Sequence, residues 1–133
     1  MSSRHTLGEL QLAIMRVLWE RGTASVAAVH RDLRESHSRA LTTIATMLSK
    51  MEKKGVVLHR REGRQFIYTP AVSEQEVRRA MVTELTRRLF DGDFTALLTH
   101  LIDEQEIDAR DLERLQRRIA EREGADRQPD LRP

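Results

Sequence analysis

The stretch from Ser38 to Gly55 contains the side chains with the clearest chemical pattern in this sequence. At the angular spacing of an α-helix, one side of it carries hydroxyls and cations without a carboxylate, namely Arg39, Thr42, Thr43, Thr46, Ser49, Lys50 and Lys53. Such a surface suits a polyanion, because cations neutralise phosphates and threonine side chains can contact base edges. A solvated helix surface has a similar composition, so the neighbouring segments must decide between the two interpretations.

The opposite side of the same stretch is apolar. Leu41, Ile44, Leu48 and Met51 recur at helical spacing and predict a buried stripe. Ser38 is the expected N-cap, and Gly55 follows two lysines as the expected C-terminal glycine. We therefore expect a helix that is held on one side and exposed on the other.

Two helices are expected before it. The first runs from Leu7 to Arg21, with Thr6 and Glu9 at the spacing of a capping box. The second follows a short Thr23–Ser25 link, capped by one of the two hydroxyls of that link, and ends near Glu35. A short helix joined by a turn to a second helix with a polar face is typical of a helix-turn-helix motif.

A basic hairpin is expected after it. Val56–Glu62 and Gln65–Thr69 are rich in β-branched and aromatic residues and flank a turn at Gly63-Arg64, while Pro70 ends the second run. Cations are concentrated near its tip, at Arg60, Arg61 and Arg64. A hairpin of this kind directly after a helix-turn-helix predicts the wing of a winged-helix domain, with the arginines against phosphate or in the minor groove.

The pattern beyond Ser73 is helical throughout. Ser73 and Glu76 have capping-box spacing, Gly92 is expected to end the first of three helices, and Asp108 to open the last. Three short amphipathic helices have few partners within one chain, so we expect a second copy of the chain to cover their apolar faces. The residues expected at this homodimer interface are Val77, Met81, Leu85, Leu89, Phe94, Leu97, Leu98, Leu101, Ile102, Leu112, Leu115 and Ile119.

These segments define the expected fold class and domains. The chain is mainly α with a small β-hairpin: a winged helix-turn-helix domain over residues 1–70, a three-helix dimerisation domain over 71–124, and a disordered tail over 125–133. Charge divides at the same place, since residues 1–70 hold 12 Lys and Arg against 6 Asp and Glu, whereas residues 71–133 hold 11 against 15. The basic part suits nucleic acid, and the acidic part suits protein.

Several other classes of protein are disfavoured by composition. The 133 residues include no cysteine, which excludes disulfides, thiolate metal sites and cysteine nucleophiles. No apolar run approaches the roughly 18 residues of a membrane span and the start is not a signal peptide, so we expect a cytoplasmic protein. No phosphate loop, nucleophile elbow or catalytic triad is present, so we do not expect an enzyme or a cofactor.

The histidines do not form a metal-binding motif. They are dispersed, without a pair at the spacing of one helical turn: His5, His30, His37, His59 and His100. Neighbouring acids such as Asp103-Glu104 and the pair Asp108 and Asp111 lie where helices are expected to begin, and capping and the helix dipole explain both pairs better than catalysis.

Three motifs of this sequence form a recognisable set: Leu7-Gly8-Glu9-Leu10 continuing to Ile14–Trp19, Thr42–Leu48 with Lys53-Lys54-Gly55, and Glu62-Gly63-Arg64-Gln65-Phe66-Ile67-Tyr68-Thr69-Pro70. With these motifs the chain resembles the BlaI/MecI type of penicillinase and methicillin-resistance repressors. The resemblance extends from Leu7 to about Glu123. It implies a winged-helix DNA-binding domain, a helical dimerisation domain, and repression at palindromic operators, with β-lactamase or related stress genes as targets.

Two departures from the family concern how repression ends. In antibiotic-responsive members, a membrane sensor-protease system leads to cleavage of an Asn-Phe bond, which aligns here with His100-Leu101; the mismatch argues against a proteolytic switch at this bond. Copper-responsive relatives bind metal through C-terminal cysteine pairs, which are absent here. The expected partners are therefore double-stranded operator DNA and a second copy of the chain, with any sensor acting indirectly.

The sequence leaves one alternative of a different class. A winged-helix module that binds another protein, with an incidental basic face, would have the same helices and hairpin. Retention on heparin at moderate salt and a shift of the DNA upstream of its own gene would separate the two hypotheses.

Overall fold

The apolar stripes of the sequence fold into six helices and three short strands over residues 5–127, the part of the chain that the computed structural model describes. In chain order these are α1 Glu9–Arg21, β1 Ala24–Ser25, α2 Val26–Asp32, α3 Leu41–Lys54, β2 Val57–Glu62, β3 Gln65–Pro70, α4 Glu74–Phe90, α5 Phe94–Asp103 and α6 Ala109–Arg127. The predicted mainly α class with a winged helix-turn-helix is confirmed.

The hydrophobic core of the N-terminal part of the chain, residues 7–77, lies between α1, α2, α3 and the sheet. Ile14, Leu18, Val29, Leu48 and Met51 have no exposed surface, and Trp19 packs at the edge, where its indole Nε1 donates to the Val72 carbonyl at 2.9 Å. Burial of these side chains is the main source of the free energy that holds the helices together.

The chain divides into two compact units, one ending at Leu85 and one beginning at Thr86. This division lies beyond the boundary that we expected after Pro70. Val72 and Val77 are the physical reason, since they are 4% and 1% exposed in the core of the first unit. Val77 is therefore not available to a dimer interface, and its assignment there is corrected.

The sheet contains one more strand than the predicted hairpin. β2 and β3 pair antiparallel around the Gly63 turn as expected, and β1 pairs antiparallel with β3, which gives the order β1-β3-β2. β1 has two residues, in the segment that we expected to be a link. A strand this short has no alternation of its own and exists only because β3 supplies its hydrogen bonds.

Helix boundaries follow the predicted caps in α2 and α4 but not in α1 and α3. Ser25 accepts from the Ala28 amide at 3.1 Å, and Ser73 accepts from the Glu76 amide at 3.0 Å. By contrast, α1 begins after Gly8 and α3 begins after Ala40, neither capped by the predicted Thr6 or Ser38. Gly55 ends α3 as predicted, in the left-handed conformation with φ of 88°.

Leu41 is the exception in the predicted stripe of α3. Ile44, Leu48 and Met51 are fully buried, whereas Leu41 is 48% exposed. As the first residue of α3, it lines a groove together with Arg61, Arg64 and Phe66 of the hairpin.

The second unit contains two helices with well-formed starts. Asp93 accepts from the Ala96 amide at 3.1 Å, while Asp108 and Asp111 accept from each other's amides at 2.9 and 3.1 Å. These contacts confirm the capping interpretation of Asp108 and Asp111. The same interpretation is wrong for Asp103-Glu104, because α5 ends at Asp103 and no helix begins there. α6 continues past Gly124 to Arg127, so residues 125–127 are helical and not part of a disordered tail; the rest of the predicted tail lies outside the described residues.

No helix within the described range is long and apolar enough to cross a membrane.

Replacing Leu48 by Ala tests the importance of the buried side of α3. We expect a loss of about 2–5 kcal/mol in the free energy of unfolding, because the change leaves a cavity in the core. Chemical denaturation followed by circular dichroism measures this loss. Leu58→Ala is the matched control, since the same atoms are removed from a side chain that is 59% exposed. Similar losses in both variants would contradict the assigned core.

Candidate nucleic-acid interface

The polar side of α3 is exposed because its opposite side is buried. Ile44, Leu48 and Met51 anchor the helix in the core with no exposed surface. The residues predicted on the other side are all exposed to solvent: Arg39, Thr42, Thr43, Thr46, Ser49, Lys50 and Lys53. The structure thus brings the seven predicted residues onto one continuous surface, the polar face of α3 together with Arg39 just before it.

Two cations near this surface have backbone partners. The Arg39 guanidinium donates to the Ser38 carbonyl at 3.1 Å. Lys54, the neighbour of Lys53, points the other way and donates to the Thr6 carbonyl at 2.5 Å. Lys54 therefore helps to hold α3 against the N-terminal segment, while Lys50 and Lys53 remain on the exposed face.

The wing places its three predicted arginines in solvent. Gly63 turns the hairpin with φ of 64°, a conformation that favours glycine. The Arg61 guanidinium lies 5.6 Å from the centre of the Phe66 ring, and Arg60 forms an ion pair of 3.2 Å with Glu62. Arg64 is exposed at the turn itself. The tip is thus basic, with one carboxylate partly offsetting Arg60.

A groove of about 390 Å³ lies between the wing, the start of α3 and the start of α2. Its lining contains two arginines and no carboxylate: Ser25, Val26, Ala27, Leu41, Arg61, Arg64, Gln65 and Phe66. Leu41 and Phe66 are 48% and 41% exposed there, which gives the groove an apolar floor beside its cations. Leu41, which the sequence pattern assigned to the core, is therefore a residue of this surface.

Glu52 is the only acidic residue of α3, and it is turned away from the polar face towards the wing. Its carboxylate accepts from the His59 amide at 3.1 Å and contacts the His59 ring nitrogen Nδ1 at 2.5 and 2.7 Å. Burial of the Tyr68 side chain raises the pKa of Tyr68, and the negative charge of Glu52 raises it further. Sequence reasoning missed this contact because the two residues belong to no spacing motif.

Three of the remaining histidines have separate partners. His5 lies 3.4 Å from Glu76, His37 lies 3.6 Å from Glu9, and the ring of His100 lies 5.7 Å from that of Phe90. Among residues 5–127, no group of three or more His, Cys, Asp or Glu side chains is arranged to hold a metal ion.

A helix-turn-helix core, an exposed polar second helix and a basic hairpin beside it define the first unit as a winged-helix domain of the DNA-binding class. A sequence profile of the family described as penicillinase repressor matches residues 7–121. The chain therefore belongs to the penicillinase repressor family, a family of transcriptional repressors.

Individual relatives agree with this assignment. The transcriptional regulator BlaI of Mycobacterium tuberculosis is 34% identical over 119 residues, which cover 88% of this chain and 85% of the relative. The penicillinase repressor of Bacillus licheniformis is 24% identical over 109 residues, or 82% of this chain and 85% of the relative.

Two solved structures are similar in fold. The DNA-binding domain of the repressor BlaI, solved in solution, is 32% identical and superposes with a TM-score of 0.50 over 57% of this chain and 93% of that domain. A RosR protein in a solved complex is 21% identical and has a TM-score of 0.53 over 93% of this chain and 98% of the other. The second likeness concerns the fold alone.

Proposed function

We propose that this chain is a homodimeric transcriptional repressor that binds palindromic operator DNA through α3 and the wing. The observation that carries the proposal is the carboxylate-free, exposed polar face of α3, with Arg61 and Arg64 of the wing beside it. DNA phosphates need cations, and base edges in the major groove need hydroxyls, amides or guanidinium groups on a helix that can enter it. The solved DNA-binding domain of BlaI supports the same use of this fold.

Roles within the surface follow from side-chain chemistry. Thr42, Thr43 and Thr46 carry short hydroxyl and methyl groups suited to base edges, and Arg39 is suited to guanine or phosphate. The long cations are suited to phosphates, which set the register of the protein on the duplex. These cations are Lys50, Lys53, Arg60, Arg61 and Arg64, with Ser49 as a further polar contact between them.

The proposed dimer depends on apolar side chains that the second unit leaves exposed. Leu89 is 68% exposed, Phe94 52% and Ile119 58%, and no residue of α5 is fully buried. Leu98, Ile102, Leu112 and Leu115 are likewise 38–46% exposed. Apolar surface of this extent is characteristic of an interface, and a second copy of the chain supplies a matching one.

A two-fold dimer would explain a palindromic operator. Its two copies of α3 would enter successive major grooves, about 34–36 Å apart or a multiple of this distance. The relatives named penicillinase repressor and methicillin resistance regulatory protein support β-lactamase or related stress genes as targets. We propose a sensor-linked signal for release, and do not assign it to cleavage at His100-Leu101, which lacks the family's Asn-Phe pair.

Thr43→Ala tests base recognition by α3. We expect a loss of about 10- to 100-fold in affinity for a duplex selected by the protein from a random library, since a lost base contact typically costs 1–3 kcal/mol. The loss on an unselected duplex should be small. Fluorescence anisotropy titrations at fixed salt measure both affinities.

Lys50→Ala is the matched control for Thr43→Ala. A phosphate contact should contribute equally to both duplexes, and its removal should reduce the log-log salt slope by about 0.9. Equal losses on the two duplexes for Thr43→Ala would refute its role in base recognition. Absence of any selected duplex for the wild type would refute DNA binding and favour the protein-interaction module.

Leu98→Glu tests the dimer. Leu98 is 46% exposed in the chain, so a charge there should leave the fold intact and prevent association of the two apolar surfaces. Sedimentation velocity should show monomers, and operator affinity should fall at the same time. Thr99→Glu places the same charge on the neighbouring exposed residue of α5 and should remain dimeric. A dimeric Leu98→Glu would show that this face is not the interface.

A further inference from the structure

A carboxylate between α3 and the wing is unfavourable for binding a polyanion. Glu52 is the one acidic residue in α3, on the helix whose other face carries the DNA-binding candidates. Its charge repels phosphate wherever it lies on this unit. The contacts of Glu52 with the wing explain why a carboxylate lies at this position.

The contacts of Glu52 join α3 to the edge strand of the sheet. β2 lies at the edge in the order β1-β3-β2, so its outward amides have no neighbouring strand. The His59 amide donates instead to Glu52 Oε2 at 3.1 Å, and the His59 ring nitrogen Nδ1 lies 2.5 Å from Oε1. One carboxylate thus holds both the backbone and the side chain of the same wing residue.

The His59 ring continues this link towards the tip of the wing. Its centre lies 4.5 Å from that of Phe66 and 5.7 Å from that of Tyr68, on the strand opposite. Phe66 in turn packs under the Arg61 guanidinium at 5.6 Å. A continuous series of contacts therefore runs from α3 through Glu52, His59 and Phe66 to an arginine that lines the groove.

We propose that Glu52 and His59 are positioning residues for DNA binding: their contact fixes the angle between the wing and α3. The wing arginines then meet the backbone of the same duplex whose major groove α3 enters. This inference rests on the proposed function. The contribution of the wing to DNA affinity would then depend on two residues that need not contact DNA themselves.

Charge and position predict effects of opposite sign, which makes the proposal testable. Glu52→Ala removes a negative charge, and charge alone would strengthen binding to DNA. If the contact positions the wing, Glu52→Ala weakens binding to the selected duplex by roughly 5- to 30-fold. Glu62→Ala is the matched control, because it removes a wing carboxylate that pairs with Arg60 and does not contact His59; it should bind as tightly as the wild type or more tightly.

The salt dependence separates a displaced wing from a smaller folded fraction. In Glu52→Ala the log-log salt slope should fall by about 0.9 for each wing phosphate contact that is lost. A partly unfolded sample would instead lower the active concentration and leave the slope unchanged. His59→Asn keeps a donor near the position of Nδ1 and should retain more affinity than His59→Ala.

A double-mutant cycle connects the pair to the wing arginines. Arg64→Ala should weaken binding in the wild type and have little effect in Glu52→Ala, since the wing is already displaced. Additive losses would overturn the positioning role, and so would tighter binding by Glu52→Ala. If the wild type itself selects no duplex, the proposed function fails first, which is a distinct result.

Hydrogen exchange of the free protein provides a readout without DNA. The His59 amide, bonded to Glu52, should exchange slowly in the wild type and much faster in Glu52→Ala, whereas the amides of α1 should be unaffected in both. Rapid exchange of this amide in the wild type would show that the contact is not formed in solution and would overturn the proposal.

Discussion

Burial of one side of α3 is the constraint on which the rest of the first unit depends. Ile44, Leu48 and Met51 lose all contact with water in the core. Once these three are fixed, helical geometry determines which residues face outward, and the hydroxyls and cations from Thr42 to Lys53 cannot be anywhere else. The other elements either provide the core that holds α3 or, like the wing, extend the surface that it presents.

Electrostatics is arranged around the same helix. The carboxylate of Glu52 is turned to the wing, where His59 satisfies it, and Lys54 is turned to the Thr6 carbonyl, so neither residue contributes to the polar face. Asp32, another acid of the first unit, is paired as well: it accepts two bonds from Arg21, which lower its pKa through the side-chain hydrogen bond and the charge of the guanidinium. The polar face of α3 therefore carries Lys50 and Lys53 and no carboxylate, and Arg61 and Arg64 lie exposed at the tip of the wing.

The two units differ in the fraction of their apolar side chains that is buried. The first unit buries one core of aliphatic residues that extends to Val77 in the first half of α4, while Leu41 and Leu58 stay exposed. The second unit exposes Leu89, Phe94 and Ile119 on helices that are otherwise well capped. These exposed apolar residues are the basis of the proposed dimer, in which a second copy of the chain would complete their burial.

Much of this protein was determined by its sequence alone. Periodicity predicted the helices, glycine and proline predicted their ends and the hairpin, and the seven polar residues from Arg39 to Lys53 were found to share one exposed surface. These features are local, because helical spacing and turn chemistry act over a few residues. The roles of those residues on DNA, and the dimer interface, remain predictions.

Only the tertiary structure decided the features that depend on distant neighbours. Leu41 and Val77 have the same apolar character and helical spacing as their neighbours, yet Leu41 is exposed beside the wing and Val77 is buried against the first unit. β1 exists because β3 provides its partner, and Glu52 contacts His59, which lies seven positions further along the chain. Burial and pairing are properties of what packs against a residue, and the sequence around that residue does not contain this information.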